Sequence, residues 1–575
     1  MPGSPPAPLA RPRVLTALVL LAALLFGAAP ASAATYVPIS GAGSTWSQNA
    51  LDQWRANVKQ YGMTVNYNGT GSSDGRNQFR NGTVDYAVSE IPYGVKDSGV
   101  VDSAPSRKYA YMPIVAGGTS FMYNLTIGNK RVTNLRLSGD VIAKIFTGQI
   151  KTWNDPAIKA DNPALAAALP ARRVVPVVRS DGSGTTAQLT TWMSKQYPGM
   201  WDAYCRRAGR STPCGTTSNF PVVSGSGFVS QAGSNGVSGY VAQAGNVGTI
   251  TYVEYSYAVY TTGFPVAKVL NKAGYYVEPT AKNVAVSLLK ARINNDSSSP
   301  SYLTQILDDV YNDRDARAYP LSSYSYMIIP TKLESNFNAQ KGKTLGAFAY
   351  YFLCQGQQHV DNLGYSPLPI NLVQAALDQV RRIPGVDVEK INIKDCHNPT
   401  FSSDGTNTLA KTAPYPPACD KQGTSQCATG TGGAKQSTNV GGSSGGAGSS
   451  GGGSGGGSGG GSASGGGGSS GGSGGAGSGG AGSGGAAGAG GASGGAGTTG
   501  GTTIDPDTGQ VIGANGASGG SGDGTGSDAF AVPVNTSRSI SSGSRTALMT
   551  VAGVLLLALT VGPPLLTRRL KRGKS

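Results

Sequence analysis

Nine residues at positions 178–186, VRSDGSGTT, carry side chains suited to holding an anion. Arg179 offers a planar guanidinium whose fork matches two oxygens of an oxyanion. Ser183, Thr185 and Thr186 add hydroxyl donors around Gly184. The preceding residues, 173–178, are apolar and β-branched and read as a buried strand. The following ones place Leu189, Trp192, Met193 and Tyr197 at helical spacing up to Pro198, so a helix is predicted to begin near Ser183. A strand, a tight turn and a helix N-terminus together aim several unpaired N–H groups at one point, where the helix dipole favours negative charge. The same residues would also suit an ordinary capped helix with a surface arginine.

The pattern recurs twice near the start of the chain. Residues 36–39 read as extended and 41–45, GAGST, as a turn; Trp46, Ala50, Trp54 and Val58 then share one face of a helix that ends by Gly62. Residues 64–67 form the next expected strand, followed by the Gly/Ser/Thr run at 69–75, including Ser72, and a short helix to Asn81. A third strand, 84–90, ends on the carboxylate of Glu90. In an α/β sheet such junctions share one edge, outside the carboxyl ends of the strands, where ligands bind.

Several function classes fall away on composition. The formal charge of +16 resembles a nucleic-acid signature until it is located. Arg568, Arg569, Lys571, Arg572 and Lys574 cluster at the C-terminus, and Arg11 and Arg13 lie near the N-terminus; removing these seven leaves +9, with no basic run between them. A dinucleotide cofactor would need more than GTGSSDG at 69–75, because the helix after it is short and polar. No loop ends in the GK[ST] of a Walker A motif. With two histidines, His359 and His397, both away from the Gly-rich junctions, neither a zinc site nor a phosphatase centre is expected. No cofactor is expected.

Residues 1–33 read as a secretory signal: Arg11 and Arg13, an apolar run over 14–29, and Ala31-Ser32-Ala33 as the cleavage site. Export permits disulfides. The cysteines at 205, 214, 354, 396, 419 and 427 allow about 15 connectivities. Nearest-neighbour pairing would join Cys205 to Cys214, Cys354 to Cys396 and Cys419 to Cys427.

Five stretches, in order, resemble the substrate-binding protein of the high-affinity phosphate ABC transporter: GAGSTW (41–46), NYNGTGSSDG (66–75), VDYAVSE (84–90), RSDGSGTT (179–186) and GNVGTITYVEYSYA (245–258). GDVIAKIFTGQIKTWNDPAI (139–158) and GYSPLP (364–369) agree as well. The resemblance covers roughly residues 36–393. It implies a two-lobed type II periplasmic-binding-protein fold of α/β class over 34–400, with the first lobe at about 34–115 and 256–400 and the second at about 116–255. It also implies a phosphate site at Thr45, Trp46, Ser72, Glu90, Arg179, Ser183, Gly184 and Thr185, an ABC permease as partner, and no catalysis. Asp181 stands where the family pairs an aspartate with the arginine; as a residue type it also suits a turn or a helix cap.

One position departs from the family. Its strand ends on an aspartate that accepts a hydrogen bond from the protonated phosphate oxygen, and here that place is Glu90. An ionised carboxylate only accepts, so it rewards a proton-bearing ligand and repels fully ionised sulfate. The extra methylene leaves two outcomes: a cleft shifted to suit it, or a carboxylate pointing away.

Beyond the match, 401–430 reads as a cysteine-containing extension, and 431–545 as a flexible Gly/Ser-rich linker whose r.m.s. span is on the order of 60 Å. Residues 546–567 are uncharged, apolar and long enough to cross a bilayer, and the basic tail at 568–575 follows at once. The positive-inside rule puts that tail in the cytoplasm and the binding domain outside. The expected location is therefore the cell membrane, with a C-terminal anchor suited to a cell lacking an outer membrane.

Overall fold

The computed structural model describes residues 36–438, apart from 98, 99, 297, 300, 335 and 424, together with 503–504 and 511–512. The expected signal at 1–33, most of the linker, the span at 546–567 and the tail at 568–575 lie outside the described residues. Among the described residues no helix is long and apolar enough to cross a membrane.

Eight strands form one sheet: β1 (Ile39–Gly43), β2 (Val65–Asn68), β3 (Tyr86–Ser89), β4 (Tyr109–Asn124), β5 (Val175–Arg179), β6 (Val229–Gln231), β7 (Thr249–Glu254) and β8 (Ser322–Pro330). Their spatial order is β6-β5-β7-β4-β8-β3-β1-β2. At one end β3, β1 and β2 run parallel, and at the other β7, β5 and β6 do. The antiparallel strands β4 and β8 join the two halves. Strand β4 serves both: residues up to Gly118 pair with β8, and Thr119 to Asn124 pair with β7. This is the two-lobed α/β architecture expected.

The central strands are buried nearly throughout, as parallel sheets covered by helices on both faces require. One core gathers Trp54, Phe79, Tyr86, Ile114, Met327 and Phe352 around the first half. A second gathers Phe121, Phe146, Trp153, Trp192, Trp201 and Tyr252 around the other. The second core also takes in Val269, Val277, Leu307, Tyr311, Tyr319 and Leu321. Lys268–Leu270 pairs in parallel with Arg136–Leu137, which is why the chain after 256 contributes to both lobes rather than returning directly to the first.

The helices that matter for the site are α1 (Gln48–Val58), α2 (Ser72–Arg80), α3 (Gly184–Gln196) and α4 (Gly233–Ala242). One local expectation is corrected. Residues 41–43, read as a turn, are the second half of β1, paired with both β2 and β3. A Cβ on Gly41 would lie 2.2 Å from the Tyr86 ring, so glycine there serves strand packing rather than a turn.

All three disulfides join nearest neighbours: Cys205–Cys214, Cys354–Cys396 and Cys419–Cys427. The last lies in a strap that is held on the protein past the expected boundary at 430. Asn398 and Thr400 bond to Leu368 O, and Ala410 and Ala413 pack on Ala285 and Val286. The strap then crosses to the other lobe. There Lys268 pairs with Asp420, Gln426 donates to Asn134 O, and Thr431 and Thr438 bond with Thr133. Outside this unit, Thr503–Ile504 and Val511–Ile512 pair antiparallel.

Candidate functional site

Four helices begin where strands of the sheet end. Helix α1 follows β1, α2 follows β2, α3 follows β5 and α4 follows β6. Two belong to each lobe; Ser72 at the start of α2 meets Gly184 at the start of α3 beside Glu90, and Ser234 near the start of α4 meets Thr45 ahead of α1.

Arg179 ends β5 and is 3 % exposed. Its Nε donates to Asp181 Oδ1 at 2.7 Å and its Nη2 to Asp181 Oδ2, while Nη1 reaches Ser234 Oγ at 3.4 Å. Three of the five guanidinium donors are used, and the planar group is fixed by a bidentate pair. Asp181 also accepts the Gly233 N–H at 2.9 Å. Burial by itself would raise the Asp181 carboxyl, but the Arg179 charge and these hydrogen bonds outweigh it and hold it below the usual carboxylate range. Asp181 is thus a partner of Arg179 and of the first N–H of α4, while it does not cap α3. The cap is Ser183, whose Oγ accepts from Thr186 N at 3.2 Å.

Gly184 opens α3 and touches the opposite lobe. Its N–H donates to Ser72 Oγ at 3.0 Å, and a Cβ there would stand 1.9 Å from Glu90 Oε2. Thr185, 1 % exposed, has a hydroxyl with no hydrogen-bond partner among the described residues. Around it, Thr45 Oγ1 and Ser234 Oγ lie 2.8 Å apart, and Ser234 N–H donates to Thr45 Oγ1 at 3.0 Å. Trp46 is fully buried, and its N–H donates to Ser44 Oγ at 2.9 Å. Further bonds clamp the lobes: Ser73 N–H to Gly182 O at 3.0 Å, and Gln188 Nε2 to Glu90 O at 2.8 Å.

Glu90 points inward. It is 1 % exposed, and its carboxylate accepts Ser44 Oγ and Ser72 Oγ on Oε2 and Ser325 Oγ on Oε1. Burial raises its carboxyl above the usual range, against the pull of the three hydroxyls and of Arg179. A second buried carboxyl, Glu254 at the end of β7, is pushed up much further by burial and by Glu90.

Of the anion-site residues proposed from sequence, the structure links Thr45, Ser72, Glu90, Arg179, Asp181 and Gly184 through hydrogen bonds or close approach, with Trp46, Ser183 and Thr185 adjoining them in the chain. Sequence reasoning missed Ser44, Ser234, Ser325 and Glu254. Ser234 repeats the strand–Gly–Ser–helix pattern, but its strand is three residues long and leaves no period to read. Ser325 lies within a strand buried at every position, and nothing in the sequence singles it out. Among the described residues no cluster of His, Cys, Asp or Glu could hold a metal ion.

Comparison with known proteins agrees with the geometry. A family model described as a PBP superfamily domain matches residues 28–355. The phosphate-binding protein PstS of Methanocaldococcus jannaschii is 30% identical over 354 residues, which cover 59% of this chain and 85% of that protein. The PstS of Xylella fastidiosa is 32% identical over 339 residues, covering 59% and 83% respectively. The solved phosphate-binding protein from Stenotrophomonas maltophilia matches with 16% identity and a TM-score of 0.45, covering 64% of this chain and 99% of that one. The chain belongs to the PstS family of phosphate-binding proteins.

Proposed function

We propose that this chain captures inorganic phosphate outside the cytoplasm and delivers it to an ABC permease, with no catalytic step of its own. The observation that carries the reading is the convergence at Arg179. A guanidinium locked by Asp181 reaches Ser234 at the start of α4, and at the start of α3 the buried Thr185 hydroxyl has no hydrogen-bond partner among the described residues. Such a constellation favours a compact, multiply charged oxyanion. Thr45, Trp46, Ser72, Ser183, Gly184 and Thr185 would surround the ligand, with Ser72 holding Glu90 and Glu90 accepting the ligand's proton. The names of the relatives, phosphate-binding proteins, support the same ligand.

Calorimetry of the full-length protein with phosphate, arsenate and sulfate tests this. Phosphate and arsenate should bind and sulfate should be rejected; equal binding of sulfate and phosphate would remove Glu90 as the discriminating group. A phosphate ester left intact by protein that binds phosphate would separate a binder from a phosphatase.

The membrane tether is part of the same reading and rests on the uncharged run at 546–567 with its basic tail. Truncation after Gly526 should release a binding-competent protein into the medium. Recovery of the truncated protein in the membrane fraction would require a different anchor.

A further inference from the structure

The carboxylate of Glu90 is surrounded by serine hydroxyls from three separate segments. Ser44 follows β1, Ser72 begins α2, and Ser325 sits within β8. Ser44 Oγ and Ser72 Oγ lie 2.7 and 2.9 Å from Oε2. Ser325 Oγ lies 2.7 Å from Oε1, and all four residues are buried. Two of the hydroxyls have their lone pairs engaged by backbone N–H groups, Ser44 by Trp46 and Ser72 by Gly184. Each hydroxyl has one proton, and an N–H at its oxygen turns that proton toward Glu90.

An ionised carboxylate has about four acceptor positions. Three serines occupy three of them and leave one, on the oxygen that Ser325 holds. The protonated form would instead need somewhere to place an O–H, and three donors already aim at the group. The cradle therefore favours the ionised, accept-only form. That preference opposes burial, which favours the neutral acid.

The other groups facing Glu90 are few. Arg179 attracts the carboxylate and Glu254 repels it, while the buried phenols Tyr67 and Tyr326 lie close enough to feel its charge. None of these donates a hydrogen bond to Glu90 among the described residues. The serines carry that task, and Ser325 alone of the three belongs to no helix start or strand-to-helix turn. Its hydroxyl also lies 3.3 Å from Ser47 Oγ at the start of α1, and neither serine is among the proposed anion-binding residues.

We propose that Ser325 is a specificity-determining positioning residue: its hydroxyl holds Glu90 Oε1 as a pure acceptor and so makes the site reject an oxyanion that has no proton to give. The inference rests on the phosphate reading above. Sulfate has only acceptor oxygens at neutral pH, so an accept-only Glu90 leaves a buried like-charged contact, whereas a protonated Glu90 could donate to it. Without the Ser325 hydroxyl, Glu90 should take up its proton at higher pH, and sulfate should enter at higher pH with it.

The test is calorimetry of the full-length protein with inorganic phosphate and sulfate from pH 5 to 8.5. Ser325→Ala should move the onset of sulfate binding upward by about one pH unit, the scale of one hydrogen bond to a charged group. Phosphate affinity at the top of the range should change far less. Ser325→Thr, which keeps the hydroxyl, should restore the wild-type profile. Ser325→Cys, close in size with a weak donor, should shift it in the same direction as alanine, and stands in if the alanine variant does not fold. Glu90→Gln, always able to donate, should bind sulfate with no dependence on pH. Alanine and cysteine profiles that coincide with wild type, while Glu90→Gln admits sulfate, would overturn the role of Ser325 and leave the phosphate reading standing. Wild-type protein that binds no phosphate would overturn the phosphate reading itself, and this inference with it.

Discussion

Gly184 on one lobe donates its N–H to Ser72 Oγ on the other, across 3.0 Å, and Ser72 donates its own O–H to Glu90 Oε2 at 2.9 Å. The first residue of α3 and the first residue of α2 are therefore joined head to head at the point where both dipoles favour negative charge. Residues from both lobes meet at this point, so the proposed anion site draws on each half.

That junction leaves no room for a methyl group. A Cβ on Gly184 would stand 1.9 Å from Glu90 Oε2 and 2.5 Å from Ser72 Oγ. Gly184→Ala should force the lobes apart at this point and weaken phosphate binding by at least about tenfold, with a stability loss of about 1–3 kcal/mol typical of overpacking. Calorimetry together with urea unfolding checks both. An alanine variant with wild-type affinity would show that the lobes do not meet this closely when ligand is bound.

Arg179 and Asp181 should behave as a unit. Arg179→Ala removes the fork and should cost about 2–5 kcal/mol of phosphate binding. Asp181→Asn leaves the guanidinium in place but removes its charge partner, so it should lower stability as well as affinity. The pH dependence has a definite sign. Asp181 is held below its ordinary range, so its contribution is present above about pH 4 and is lost as pH falls through the folded value. Wild type and Asp181→Asn should accordingly differ at neutral pH and converge in acid, as read from thermal unfolding at several pH values. Arg179→Ala binding phosphate like wild type would place the anion elsewhere.

Much of this site could be read from the chain because strand, turn and helix each leave a local signature. Arg179 and the Ser183 cap follow from a β-branched run, a Gly/Ser turn and a helical period. Glu90 was readable as a carboxylate at a strand end, but its direction was not, since that depends on Ser44, Ser72 and Ser325 from three distant segments. The strap was misjudged for a different reason. Its hold on the second lobe comes from polar side chains meeting backbone groups, such as Gln426 on Asn134 O and Thr431 on Thr133 O, so a search for apolar runs passes it by.

The strap offers a stability test independent of the ligand. Lys268 Nζ lies 2.5 Å from Asp420 Oδ2, with the side chains 13% and 3% exposed. Asp420→Ala would leave a mostly buried ammonium without its partner and should cost about 1–3 kcal/mol of stability. Phosphate affinity should stay within about threefold, as expected for a site far from the change. Lys268→Met combined with Asp420→Ala should recover part of the loss, because the unpaired charge is gone. Stability unchanged in the single variant would mean the strap is not anchored through this pair.

Glu254 makes the sharpest pH prediction. It is fully buried, its Oε2 accepts the Ser256 N–H, and its Oε1 has no hydrogen-bond partner among the described residues. Burial, with Glu90 adding repulsion, raises its carboxyl well above the ordinary range. A raised acid contributes stability below its unfolded range, near about pH 4.3, and that contribution is lost as pH rises toward the folded value. At any pH between the unfolded and folded values, folding must therefore bind a proton to Glu254 that the unfolded chain does not hold. Glu254→Gln keeps the shape and removes that requirement. The variant should differ little from wild type near pH 4 and become more stable than it above, the gap growing by about 1.4 kcal/mol per pH unit until the folded carboxyl ionises. Urea unfolding of both proteins between pH 4 and 8 measures it. A gap that stays flat across the range would show that Glu254 ionises alike in the folded and unfolded protein, and that the β7 end is better solvated than its burial implies.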